Sequence, residues 1–122
     1  MVLVDAPAGV YEATRAFWGG VLGSEPEADD GAEGTYDHLG LLGAGVRLEA
    51  QRLEAEDDAA RVHLDVETDD VAAEVARLEG LGATVVEHRS EGYTIMRDPA
   101  GLPFCVIPAW TDGFAEHAVS WP

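Results

Sequence analysis

Hydrophobic and polar positions along the chain fall into two blocks with the same internal order. Residues 2–5, Val-Leu-Val-Asp, form a short apolar run that predicts a buried strand, and Pro7 and Gly9 break it. From Gly9 to Leu22 the apolar positions Val10, Ala13, Phe17 and Val21 recur at helical spacing. That predicts a helix with this stripe inward and Gly23 as its C-terminal stop. Farther along, Arg61 to Glu67 alternates cleanly, with Val62, Leu64 and Val66 on one side and His63, Asp65 and Glu67 on the other. Asp69 and Asp70 suit a helix N-terminus. Val71, Val75, Leu78 and Leu81 then give a second helical stripe, ended by Gly82.

The continuations also match. In the second block, residues 83–87 and Tyr93 to Arg97 read as strands, and the turn Asp98-Pro99-Ala100-Gly101 leads to a last strand, Pro103 to Ile107. In the first, Glu25 to Gly34 reads as a short strand and an acidic loop. Tyr36 to Leu42 is a strand, Gly43-Ala44-Gly45 the turn, and Val46 to Arg52 the return. The expected fold is α+β: two tandem βαβββ modules, residues 2–52 and 61–108, in one domain of residues 1–122 with a tail at 109–122. An acidic linker at 53–60 joins the modules. Leu48, Ala50, Val62, Leu64, Val66, Phe104 and Val106 are expected to face the helices as core, with Trp18 at the core edge. The tail rings Trp110, Phe114 and Trp121 should dock, because large rings are costly to leave in water.

Charge excludes several classes of partner. The chain of 122 residues carries 24 Asp plus Glu against 7 basic residues, all Arg, for a net charge of -17. Phosphate backbones and anionic lipid repel such a polyanion, so no nucleic-acid or membrane-surface partner is expected. Apolar runs fall well short of the ~20 residues of a membrane span, and Met1-Val2-Leu3-Val4-Asp5 lacks a basic n-region and an apolar h-region, so no secretory signal is expected. Cys105 is the single cysteine, which excludes an internal disulfide and suits a cytoplasmic location. There is no Ser-His-Asp order, P-loop, Gly-rich phosphate loop or H-E-x-x-H.

The run Phe17-Trp18-Gly19-Gly20-Val21-Leu22-Gly23 resembles the end of the first helix in glyoxalase-like proteins of the vicinal oxygen chelate superfamily. Arg61-Val62-His63-Leu64-Asp65-Val66 with Asp69-Asp70-Val71 resembles the start of their second module, and Ala76-Arg77-Leu78-Glu79-Gly80-Leu81-Gly82-Ala83 its helix end. Asp98-Pro99-Ala100-Gly101 and Phe104-Cys105-Val106 resemble the closing hairpin. The resemblance spans residues 2–108 and takes in glyoxalase I, extradiol dioxygenases and bleomycin and fosfomycin resistance proteins. It implies a curled mixed sheet around a cavity, with helices on the outer face. In metal-using members, ligands stand on the first and last strand of each module. Carried over by the internal repeat, those positions are Val2, Glu49, His63 and Cys105.

Val2 cannot bind a metal, and Cys105 reads as a small buried hydrophobe between Phe104 and Val106, the alternative being a third, thiolate ligand in a His-Glu-Cys set that zinc would tolerate. That leaves His63 and Glu49 as the ligand-type pair, too few for a metal site, so no cofactor is expected. Strand alternation turns Arg47, Glu49, Gln51, His63 and Asp65 into the cavity, joined by Arg97 and Cys105. Such a mixed lining suits an organic small molecule. His38, His88 and His117 lack ligand-like spacing and read as surface or loop residues. The expected function is binding of an organic small molecule, cationic or aromatic, by a glyoxalase/bleomycin resistance-like homodimer without an essential metal. One alternative is a divalent-metal lyase, isomerase or dioxygenase using His63 and Glu49. Another is a non-catalytic structural or interaction domain.

Overall fold

The computed structural model describes residues 1–28, 34–43, 45–55 and 59–122, and the chain divides into two compact units, Met1–His63 and Leu64–Pro122. Most of the expected acidic loop, the middle of the Gly43–Gly45 turn and the centre of the linker lie outside the described residues.

Unit one holds β1 (Val2–Pro7), a 3-10 turn, α1 (Tyr11–Leu22), β2 (Glu27–Ala28), β3 (Tyr36–Leu41) and β4 (Arg47–Leu53). Its strands lie in the order β2-β3-β4-β1, with β1 parallel to β4 and the other pairs antiparallel. Paired residues point to the same side of a sheet and successive residues to opposite sides. One face therefore carries Val2, Val4, Ala6, Asp37, Leu39, Leu48 and Ala50, and packs under α1 around Tyr11, Trp18 and Leu22. The other carries Leu3, Asp5, Tyr36, His38, Glu49 and Gln51.

The helix stands where the periodicity predicts it and ends on Gly23 at φ +68°. Its phase differs. Val10, Ala13, Phe17 and Val21 turn outward, Phe17 being 63% exposed, while Tyr11 and Gly19 are buried. Two local demands set that phase. The Tyr11 hydroxyl donates to Asp37 Oδ2 at 2.7 Å, and Arg15 Nη1 bonds Asp37 Oδ1 at 2.9 Å, so a buried carboxylate fixes one side of the helix. A Cβ on Gly19 would stand 2.9 Å from Ser24 O and from Pro26 Cγ, so only glycine lets this face close on the segment after it. Trp18 lies at the core edge, as expected.

The division falls inside β5 (Arg61–Thr68); α2 (Val71–Gly80), β6 (Thr84–His88), β7 (Thr94–Arg97), β8 (Pro103–Pro108) and α3 (Phe114–His117) follow. Unit two has the order β5-β8-β7-β6, again parallel at β5–β8 and antiparallel elsewhere. The Asp70 carboxylate accepts the Ala73 N–H at 2.9 Å and caps α2. Val75, Met96 and Val106 form the core, joined by Val71, Leu78, Ala83, Val85 and Phe104. Val62, Leu64 and Leu81, expected in the core, are exposed. A ten-residue helix reaches only ~15 Å, and the apolar side of α2 is filled by β6, β7 and β8.

The tail is tied down by its backbone more than by its rings. Ala109 N–H donates to Thr68 O at 2.8 Å, and Glu67 Oε2 accepts the N–H groups of Trp110 and Thr111 at 2.9 and 2.8 Å. Trp110 and Trp121 stay exposed, and the Arg77 guanidinium sits 4.4 Å from the Trp121 ring centroid. The fold is α+β, with βαβββ order written twice and a mixed sheet in each unit. No described helix is long and apolar enough to cross a membrane.

Candidate functional site

The face of the unit-one sheet opposite α1 is built around two buried carboxylates. Glu49 Oε1 accepts from Arg47 Nη2 at 2.8 Å and from His38 Nδ1 at 3.0 Å. Arg47 Nε also points at His38 Nδ1, at 3.4 Å, so this ring nitrogen stands between the guanidinium and the carboxylate. Asp5 Oδ2 accepts from Arg61 Nε at 2.9 Å and has His63 Nδ1 at 4.0 Å. Gln51 Nε2 donates to the Tyr36 hydroxyl at 2.9 Å beside them. Each buried acid is thus flanked by one arginine and one histidine.

The ladders explain the arrangement. Leu3 stands opposite Glu49, and Glu49 opposite His38; Asp5 stands opposite Gln51, and Gln51 opposite Tyr36. Arg47, Glu49, Gln51 and His63 therefore occupy the face on which alternation expects them. Asp65 lies two residues beyond His63, on the same side of β5, and opposite Cys105 in the β5–β8 ladder. Arg97 is exposed at the β7–β8 hairpin, where Nη1 donates to Gly101 O at 2.9 Å.

The expected match of Val2 with His63 is one residue out. The hairpins close at Leu41 opposite Arg47 and at Arg97 opposite Pro103, which puts Glu49 and Cys105 at the same place on their strands; the parallel ladders pair them with Leu3 and Asp65, so His63 corresponds to Met1. Val2 packs with the core under α1. Neither Val2 nor Leu3 offers a metal ligand.

Sequence reasoning missed His38, Asp5, Arg61 and Tyr36. His38 is a half-buried strand residue that bonds Glu49, rather than a free surface or loop residue. Counted back from Leu41 opposite Arg47, an unbroken ladder would put Leu39 opposite Glu49. A bulge between His38 and Gly40, where Gly40 takes φ +141°, moves His38 there instead. Nothing in the sequence marks that extra residue except the glycine itself. Asp5 and Arg61 carried a clearer signal, because an acid in an apolar strand needs a basic partner.

In unit two, Asp65 and Cys105 stand opposite each other in the β5–β8 ladder, and His63 precedes Asp65 by two residues along the same strand. An imidazole, a carboxylate and a thiolate form a set that zinc tolerates. Glu49 does not fit such a role, since Arg47 and His38 already bond its carboxylate.

Residues 1–107 match the family model described as a glyoxalase-like domain. Among curated proteins none matches the chain significantly. The fold is similar to that of an NAD-dependent benzaldehyde dehydrogenase from Legionella pneumophila, at TM-score 0.58 and 12% identity over 90% of this chain and 100% of that one. It is similar to an uncharacterized protein from Methanosarcina mazei, at TM-score 0.55 and 13% identity over 90% and 92%. It also resembles 2,2',3-trihydroxybiphenyl 1,2-dioxygenase from Sphingomonas wittichii, at TM-score 0.52 and 20% identity, over 94% of this chain but only 42% of the dioxygenase. With the doubled βαβββ order and the match over nearly its whole length, the chain belongs to the glyoxalase-like family of the vicinal oxygen chelate superfamily.

Proposed function

We propose that this glyoxalase-like protein binds an organic small molecule on the polar face of its unit-one sheet and needs no metal to do so. The observation that carries this is the state of Glu49, the residue at the family's metal-ligand position. Its carboxylate is buried and already accepts from Arg47 and His38. A divalent ion would have to displace the guanidinium and then sit beside it. A unit charge ~4 Å away costs on the order of 4 kcal/mol near a protein surface, and twice that for a divalent ion. Leu3 offers no ligand from β1, and Cys105 replaces a carboxylate at the position that corresponds to Glu49. What remains suits recognition: N–H donors, an imidazole, an amide and a phenol beside apolar Leu3.

One observation favours a second reading. His63, Asp65 and Cys105 are of ligand type, which supports a zinc-dependent lyase or isomerase. Elemental analysis separates the two, on protein purified without a histidine tag or added metal. The metal-free reading expects no stoichiometric divalent ion. About one zinc per chain, lost in His63→Ala, would overturn it. Self-association as a homodimer belongs to the same proposal, since Phe17, Trp110 and Trp121 leave apolar surface exposed. Sedimentation at micromolar concentration checks it, and a mass of 12.9 kDa would refute it.

A further inference from the structure

The net charge of -17 points toward a cationic ligand, but the layering of charge on the unit-one face is the reverse. The carboxylates lie underneath: the side chains of Asp5 and Glu49 are 0% and 3% exposed. The nitrogen groups lie above them: Arg61 is 57% exposed, His38 and His63 28% each, and Arg47 15%. Over Asp5 and Glu49, a molecule settling on this face meets N–H groups before it meets either of these carboxylates.

We propose that the ligand of this face is an organic anion, held through its carboxylate by Arg61 and Arg47 between His38 and His63. The inference rests on the small-molecule reading above and narrows its ligand. Arginine carries five N–H donors in a planar fork that matches a carboxylate. The bond to Asp5 uses one donor of Arg61, and the bonds to Glu49 and His38 use two of Arg47. Asp5 and Glu49 stand two residues out of step on neighbouring strands, which separates them by about 8 Å. A carboxylate seated over that gap has a guanidinium toward either end. The buried acids are what hold the arginines in place: each fixes its guanidinium by a charge-assisted bond and so lowers the ordering cost of binding. An ammonium ligand would have to reach past two guanidinium groups to acids they already neutralise. Glu27, exposed on edge strand β2 opposite His38, bounds the face on one side and disfavours an anion extending that way.

The test is calorimetric titration of the full chain with benzoate, benzylamine and benzyl alcohol, which share a ring and differ in charge. Benzoate is expected to bind tightest. Arg61→Gln takes the guanidinium from buried Asp5 and will cost stability, so binding is read only on variant protein whose unfolding curve shows it folded; there it should weaken benzoate roughly 10- to 100-fold and leave benzyl alcohol unchanged. Arg52→Gln, at an exposed residue outside the network, should leave benzoate binding as it was. Tighter binding of benzylamine than of benzoate, or equal affinities in Arg61→Gln and Arg52→Gln, would overturn the anion assignment while leaving the small-molecule reading standing. Failure of all three probes to bind the native chain would remove that reading, and the assignment with it.

Discussion

Units one and two place different chemistry on the same scaffold. Glu49 and Cys105 occupy corresponding positions on their last strands, and so do Asp5 and Glu67 on their first. Across the antiparallel ladder, Glu49 faces His38, whereas Cys105 faces Ile95. Unit one therefore carries an ionic network where unit two has a thiol beside an aliphatic chain. The two first-strand acids differ as well. Asp5 is neutralised by Arg61, with His63 Nδ1 4.0 Å away on the candidate face, while Glu67 accepts three bonds from Trp110 and Thr111 and anchors the tail. An acid drawn out of water must find donors, and each unit finds them in a different place. One set stands on the proposed binding face and the other holds the end of the chain.

The largest expected effect tests that contrast directly. Arg47→Met removes the guanidinium and leaves Glu49 buried with His38 alone, and breaking a buried pair in this way costs about 3–5 kcal/mol. Cys105→Ala at the corresponding position trims a small buried side chain and should cost about 1 kcal/mol. Denaturant unfolding of both variants supplies the numbers. Similar losses would mean that the network around Glu49 is no more integral to its unit than the thiol is to its own.

A smaller effect lies under α1. Burial, then the hydrogen bond to Asp37, hold the Tyr11 phenol well above its ordinary value of 10.0. The raised value means that the protonated phenol is favoured in the folded state. Its contribution is complete below about pH 10 and is lost as pH rises from there toward the folded value. Tyr11→Phe leaves Asp37 with Arg15 and one fewer donor, a loss of about 1–3 kcal/mol at neutral pH. Because the variant lacks the phenol, its stability should fall less steeply than the parent's above pH 10. Parallel alkaline curves for the two proteins would show that Tyr11 does not set the phase of the helix through its hydroxyl.

Legibility from sequence followed the kind of information each feature needs. The doubled order of strand, helix, glycine stop and hairpin was readable, because period, cap and turn are local. Gly23, Asp70 and the Asp98–Gly101 turn all do what their residue types dictate. The helix phase was not readable. Val10, Phe17 and Val21 make a better apolar stripe than Tyr11, Trp18 and Leu22 until one knows that Asp37 waits beneath for a hydroxyl. The candidate face was half readable. Alternation finds Arg47, Glu49 and Gln51, which share one strand, but His38 joins them only through a bulge on another. Arg61 joins through an ion pair to a residue 56 positions away, a separation no local pattern encodes.

The smallest expected effect sharpens the comparison from the side of unit two. Burial alone would push the Glu67 carboxyl up, but the Thr111 hydroxyl and the Thr111 and Trp110 N–H groups outweigh it and hold it below its ordinary value of 4.5. The charged form is thus favoured by the docked tail. That contribution is present above about pH 4.5 and is lost as pH falls toward the lower folded value. Glu67→Gln keeps an oxygen for one N–H but gives up the charge, and a partly exposed site screens much of the difference, so the loss should be only about 1 kcal/mol. It should also be local. Hydrogen exchange at the Trp110 and Thr111 amides should accelerate in Glu67→Gln, and in the parent at acid pH, while amides in the β7–β8 ladder stay protected. If exchange in β7 and β8 rises in step with the tail, Glu67 supports the whole unit rather than its end. Its part would then match that of Asp5, and the two units would differ less than their donors suggest.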